Sequence, residues 1–137
     1  MKTCKFLLLI VLCFFVLSIA NGQTLKQDAV VANWTITLKS GVNADRFENF
    51  MAEDYIPAFE KHFTGVKMFL LKGERGVKKD GYLFLLLFTS LEERNSWWPQ
   101  DGISSDKTKE AAEKLKTQDD RLNTMVTWDA FTDWIVM

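Results

Sequence analysis

The sequence predicts a single α+β domain in which an antiparallel sheet carries helices on one face. Three observations lead there. Val30–Lys39 alternates, with Trp34, Ile36 and Leu38 on one side and Asn33, Thr35, Thr37 and Lys39 on the other, the two-residue period of a strand. Phe47, Phe50, Met51, Tyr55, Ala58, Phe59 and His62 then recur at three/four spacing, one broad stripe of an amphipathic helix. Asp80–Ser90, reading DGYLFLLLFTS, holds six consecutive apolar residues from Leu83 to Phe88. An uninterrupted run of that length marks a central strand that needs cover on both faces.

The chain has 137 residues, and its first 22 differ from the rest. Lys2 and Lys5 form a basic head, Phe6 to Ala20 is almost unbroken apolar sequence, and Ala20-Asn21-Gly22 supplies small residues before a cut between Gly22 and Gln23. This is the pattern of a cleavable signal peptide, which predicts a secreted or periplasmic protein. The 15 residues of the apolar run fall short of the roughly 20 that span a bilayer. Both cysteines, Cys4 and Cys13, belong to this leader, so the remaining 115 residues have neither a disulfide nor a thiol nucleophile.

With the leader removed, 15 basic and 18 acidic residues leave a charge of −3, counting the one histidine as neutral. So mild and mixed a charge excludes a basic stripe for nucleic acid and a polybasic patch for membranes. All five tryptophans and eight of the eleven phenylalanines lie after the leader. That many Trp side chains exceeds what a small core requires, and Trp is enriched at interfaces and pockets.

Residues 23–29 read as a flexible lead-in and 30–137 as the domain. Asn43 is placed to cap the first helix, and Pro57 is expected to kink its last turn. Gly65 closes it, and Val66–Lys72 is a second strand. The loop Gly73–Gly81, with three glycines, returns the chain antiparallel into the central strand. Ser90-Leu91-Glu92-Glu93 is a capping box that opens a short helix carrying Trp97 and Trp98 and ending at Pro99. Ser104 or Ser105 caps a further helix to about Leu122, whose thin apolar side and heavy charge predict a peripheral position. Thr124–Met137 returns to strand composition, and its parity shifts near Ala130-Phe131, as at a bulge.

The order β-α-β-β-α-β is the split βαβ arrangement of ferredoxin-like folds. Phe47-x-x-Phe50-Met51-x-x-x-Tyr55-x-Pro57 leading to Gly65-Val66, followed by Gly81-Tyr82-Leu83 and Trp98-Pro99, resembles secreted, uncharacterised members of the dimeric α/β-barrel superfamily, which also includes antibiotic-biosynthesis monooxygenase-like domains. The resemblance extends from Val30 to Met137. It implies a homodimer whose open sheet faces pack together, and no particular reaction. Some of these relatives act on polycyclic aromatics without a cofactor, and haem-degrading members surround haem with an Asn, a Trp and a His. Asn33 and the tryptophans fit that pattern, but His62 lies on the first helix, whereas those enzymes carry their histidine on the later helical segment.

His62 is the only histidine, and without Cys partners it makes no metal cluster. The sequence names no cofactor and no catalytic residue. Asp119 with Asp120, or Asp129 with Asp133, offers paired carboxylates of the kind usually found on a solvated surface. The leading expectation is a homodimer that binds a small apolar or aromatic ligand between sheet and helices, the pocket lined by Asn33, Thr35, His62, Tyr82, Trp98 and Trp128. A cofactor-independent monooxygenase-like or haem-interacting enzyme, and a structural or protein-interaction module, are the alternatives. A formed cavity separates the first two from the third.

Overall fold

The computed structural model describes residues 25–99 and 103–137. The leader and its cut between Gly22 and Gln23 lie outside the described residues. Four strands form one antiparallel sheet: β1 (Val30–Leu38), β2 (Lys67–Lys72), β3 (Tyr82–Phe88) and β4 (Val126–Ile135). Their order is β2-β3-β1-β4, so the first and third strands are central, as the split βαβ order requires. Between β1 and β2 run α1 (Ala44–Phe50), a π-helical turn (Met51–Tyr55) and α2 (Ile56–His62). Between β3 and β4 come α3 (Leu91–Trp97) and the long α4 (Asp106–Met125).

The central strand β3 settles what the apolar run means. Tyr82, Phe84, Leu86 and Phe88 are buried under the helices, while Leu83, Leu85 and Leu87 face the other way and are half-buried. The same open face carries Val31 of β1, Phe69 and Leu71 of β2 and Trp134 of β4, by their register opposite Leu87, Leu85, Leu83 and Val31. An apolar surface of this extent is bare in the single chain.

On the first helical stretch, Phe47, Met51, Tyr55, Phe59 and Phe63 follow one another at four-residue steps, and all are buried. Each step of four overshoots a 3.6-residue turn by about 40°, so such a column would drift off the sheet along a straight α-helix. The π-helical turn corrects the drift, with the Ile56 N–H bonded to the Met51 carbonyl five residues back. The wider turn stands just ahead of Pro57, which sits in the first turn of α2, where a missing N–H is tolerated.

α4 is not peripheral. Ser105 caps it, its hydroxyl accepting from the Thr108 N–H, and Thr108, Ala111, Leu115, Leu122 and Met125 are buried against the sheet and α2. A thin apolar face suffices because Ala and Thr allow close approach while the aromatic side chains opposite fill the space. The helix runs to Met125 and passes directly into β4. Its last carbonyls are taken by Lys39, whose N–H bonds Met125 and whose Nζ bonds Asn123.

The parity shift in the last strand is a bulge. Trp34 faces Phe131 and Ile36 faces Trp128, so Asp129 and Ala130 together oppose Thr35. Thr35 Oγ1 accepts the Ala130 N–H that the bulge frees. Val126 and Trp128 before the bulge, and Phe131 and Asp133 after it, consequently all lie on the helix side. The lead-in is pinned at its end, where Ala29 is buried and the Asp28 N–H and Ala29 carbonyl pair with Val136.

Candidate functional site

A cavity of about 330 Å³ opens between the helix side of the sheet and the helices. Its floor is Trp34, Met68, Phe84 and Leu86 from the sheet, with Trp128 at 42 % exposure. The roof is Tyr55, Phe59 and Phe63 on one side and Thr108, Ala112, Leu115 and Asp119 of α4 on the other, with Trp98 and Ser104 between them. The size suits a small organic molecule.

The walls are built from stacked rings. Phe59 lies parallel to Phe63 at 4.3 Å, Phe63 to Trp98 at 5.5 Å, and Tyr55 to Phe84 at 6.5 Å. Trp128 tilts against Phe84 at 5.2 Å, its indole N–H held by Asn123 Oδ1 at 2.9 Å. Trp98 is fixed through its backbone. Arg94 donates from Nη1 to the Trp98 carbonyl at 2.6 Å, and its Nη2 lies 2.5 Å from Asp133 Oδ2. One guanidinium thereby joins α3, a cavity wall and β4.

Polar groups in the cavity are few. The Tyr55 hydroxyl donates to Asp119 Oδ1 at 2.7 Å, within otherwise apolar surroundings. Burial is the main force that raises the Asp119 carboxyl above the usual aspartate range, assisted by Asp120 and opposed by the Tyr55 hydrogen bond and Lys116. Burial also pushes the Tyr55 phenol well up, reinforced by the Asp119 charge. Tyr55 thus keeps its proton, and burial disfavours the ionised form of Asp119. The Thr108 hydroxyl donates away from the cavity, to the Trp97 carbonyl.

Of the six residues expected to line one pocket, Trp98 and Trp128 do so and the other four do not. Asn33 and Thr35 face the open side of the sheet, because a strand alternates and Trp34 between them takes the helix side. Asn33 Oδ1 accepts the indole N–H of Trp134 at 2.7 Å. His62, half-buried at the end of α2, is not among the cavity walls. Tyr82 packs edge-on against Phe47 at 5.1 Å, and its hydroxyl reaches Glu48 Oε1 at 2.5 Å. Glu48 also pairs with Lys72 at 2.8 Å, and these two contacts, Lys72 first, hold its carboxyl below the usual range.

The sequence reasoning missed Tyr55 as a polar group and did not place Trp34 in the pocket. It also read Asp119 as solvated, yet Thr108, Ala112, Leu115 and Asp119 sit at four-, three- and four-residue steps. That spacing places Asp119 on the buried stripe of α4 and would have identified it. Trp97 ends α3 and Trp98, its C-cap, leaves the helical path, so both rings pack on Phe63 with centroids 6.4 Å apart, and neither reaches solvent fully. Trp97 is 1 % exposed, with the Lys107 ammonium 3.6 Å over its ring. Among the described residues no group of three or more His, Cys, Asp or Glu side chains is arranged to hold a metal ion, and no helix is long and apolar enough to cross a membrane.

No protein-family model and no curated protein matches the sequence. Among solved structures, the chain is similar to a dimeric protein of unknown function with a ferredoxin-like fold from Bacteroides fragilis, at 12 % identity and a TM-score of 0.46 over 80 % of this chain and 97 % of that one. SnoaB, a cofactor-independent oxygenase from Streptomyces nogalater, is similar at 17 % identity and a TM-score of 0.44, over 80 % and 94 % of the two chains. An uncharacterised NIPSNAP-like domain protein from Burkholderia xenovorans is similar at 14 % identity and a TM-score of 0.45, over 82 % and 86 %. At such distances a likeness carries no chemistry from one chain to another. The strand order and the helices gathered on one face, read from the chain's own hydrogen bonds, make this a ferredoxin-like α+β domain.

Proposed function

We propose that the protein binds a small apolar or aromatic ligand in the cavity between sheet and helices. The observation that carries the reading is the cavity itself, about 330 Å³ of space walled by Trp34, Trp98, Trp128 and the stacked rings of α2 and β3. Aromatic walls with a few convergent polar groups are the usual make-up of a small-molecule site.

The reading includes export through the N-terminal leader, and a homodimer. The open face of the sheet supports the dimer: Phe69 and Leu71 are exposed at 41 % and 44 %, beside Leu83, Leu85, Leu87 and Trp134. A contiguous apolar patch on this scale marks an interaction surface. A second copy is the economical cover, since the face is then self-complementary about a twofold axis.

Calorimetry tests the binding. A saturable heat on adding indole at micromolar to millimolar concentration, lost in Trp98→Ala, is the expected result. A folded protein that gives no saturable response to indole or naphthalene-sized probes would overturn the reading. Sedimentation tests the dimer, with Leu85→Glu expected to give monomers whose cavity still binds.

A further inference from the structure

We propose that the cavity's ligand is a small organic ammonium, an aromatic or alkyl body carrying one protonated amine, held by the Asp119 carboxylate. The inference rests on the cavity's being a binding site and adds the class of ligand it takes. Among the described residues Asp119 is the one formally charged wall of the cavity, and Lys116 acts on it only from further along its own helix. An anionic ligand would therefore meet a like charge and, among the described walls, no cation.

The hydrogen bonds point the same way. Tyr55 spends its proton on Asp119 Oδ1, and among the described residues Asp119 Oδ2 receives no hydrogen bond. Thr108 spends its own proton on the Trp97 carbonyl. The Tyr55–Asp119 pair consequently presents acceptors to the cavity, and a ligand that donates is what completes it.

The ring faces supply the second element. Trp98 lies parallel to Phe63, Tyr55 to Phe84, and Trp34 and Trp128 form the floor. Aromatic faces attract a cation as well as an apolar body, most strongly where water is excluded. The carboxylate and the ring faces thus favour the same ligand charge. The burial that makes Asp119 reluctant to ionise is offset once a cation arrives beside it.

Three probes with one phenyl body separate the possibilities: 2-phenylethylamine, 2-phenylethanol and 3-phenylpropionate, titrated near pH 7 by calorimetry. The amine is expected to bind about 10- to 100-fold more tightly than the alcohol, the usual advantage of a hydrogen bond to a charged partner, and the carboxylate most weakly. Asp119→Asn is expected to bring the amine to the affinity of the alcohol while the alcohol is unchanged. If Asp119→Asn fails to fold, the three probes on the unaltered protein decide alone. Equal affinities for amine and alcohol, or a preference for the carboxylate, would overturn the inference and leave the cavity as a binding site. Failure of all three probes to bind would overturn the binding site and the inference with it.

Discussion

Ala112 offers the sharpest test of whether the space beside α4 is real. It lies on the roof of the cavity, half-buried, on the helix turn between Thr108 and Leu115. Replacing it with leucine adds three carbons directed into a volume of about 330 Å³. The two residues differ little in helix preference, so the change acts through packing. Three newly buried carbons contribute up to about 2.4 kcal/mol at roughly 0.8 kcal/mol each. In a filled core the same insertion would cost about 1–3 kcal/mol through strained rotamers and displaced backbone. The two cases differ in sign, which a denaturant melt read at constant m-value resolves easily. Ala112→Leu is expected to stabilise the protein, or leave it unchanged, and to weaken indole binding at least tenfold. A loss of 1 kcal/mol or more would show that no free volume exists there, and the site would lose its foundation.

Other predictions bear on the supports of the cavity and of the sheet. Arg94→Ala removes both the partner of Asp133, one of whose carboxylate oxygens is already buried without a hydrogen bond, and the donor to the Trp98 carbonyl. It is expected to cost about 2 kcal/mol in a denaturant melt and to weaken ligand binding as Trp98 loosens. Gly73→Ala would drive a Cβ into the Lys78 backbone carbonyl inside the hairpin loop, where Gly73 exchanges hydrogen bonds with Asp80 and Gly81. Because backbone cannot step aside as a side chain can, it is expected to be clearly destabilising, whereas Gly76→Ala, with open space around it, meets only the strain of its positive φ. The raised Asp119 carboxyl has a pH signature. The folded state binds its proton more tightly than the unfolded chain does, so its contribution to stability is full below the ordinary value of 3.8 and declines as the pH rises through the raised one. Tyr55 faces it in direct hydrogen-bond contact from the π-helical turn, with Lys116 and Asp120 on its own helix. Melts at pH 4 and pH 7.5 are expected to show the unaltered protein losing stability relative to Asp119→Asn; a constant difference would contradict the assignment.

Much of the fold was legible because its strongest signals are local. The run Leu83–Phe88 marked a central strand, the stripe from Phe47 to His62 marked a helix, and the broken parity at Ala130-Phe131 marked the bulge. The π-helical turn was not legible. A column at four-residue steps looks like ordinary helical spacing over any short window, and its drift becomes apparent only across the whole stretch from Phe47 to Phe63. The candidate site was half legible. Tryptophan content pointed to Trp98 and Trp128, since large flat side chains are both core and pocket material. Asn33, Thr35, Tyr82 and His62 were drawn in by their chemistry alone: strand parity sends Asn33 and Thr35 to the open face, and position along the strand or helix puts Tyr82 and His62 beyond the cavity. Asp119 was overlooked because most of α4 around it is charged, and in such a segment a carboxylate turned inward differs from its neighbours only in phase.

The five tryptophans provide the most direct measurement of the central claim. Each indole N–H gives its own signal in a nitrogen–proton correlation spectrum, and the five occupy different places. Trp34, Trp98 and Trp128 line the cavity, Trp97 is sealed in the core, and Trp134 stands on the open face at 60 % exposure. Titrating unlabelled indole into labelled protein is expected to move the signals of Trp34, Trp98 and Trp128 together along one saturation curve, with Trp134 unmoved. Shifts confined to Trp134, or none that saturate, would contradict a binding site between sheet and helices.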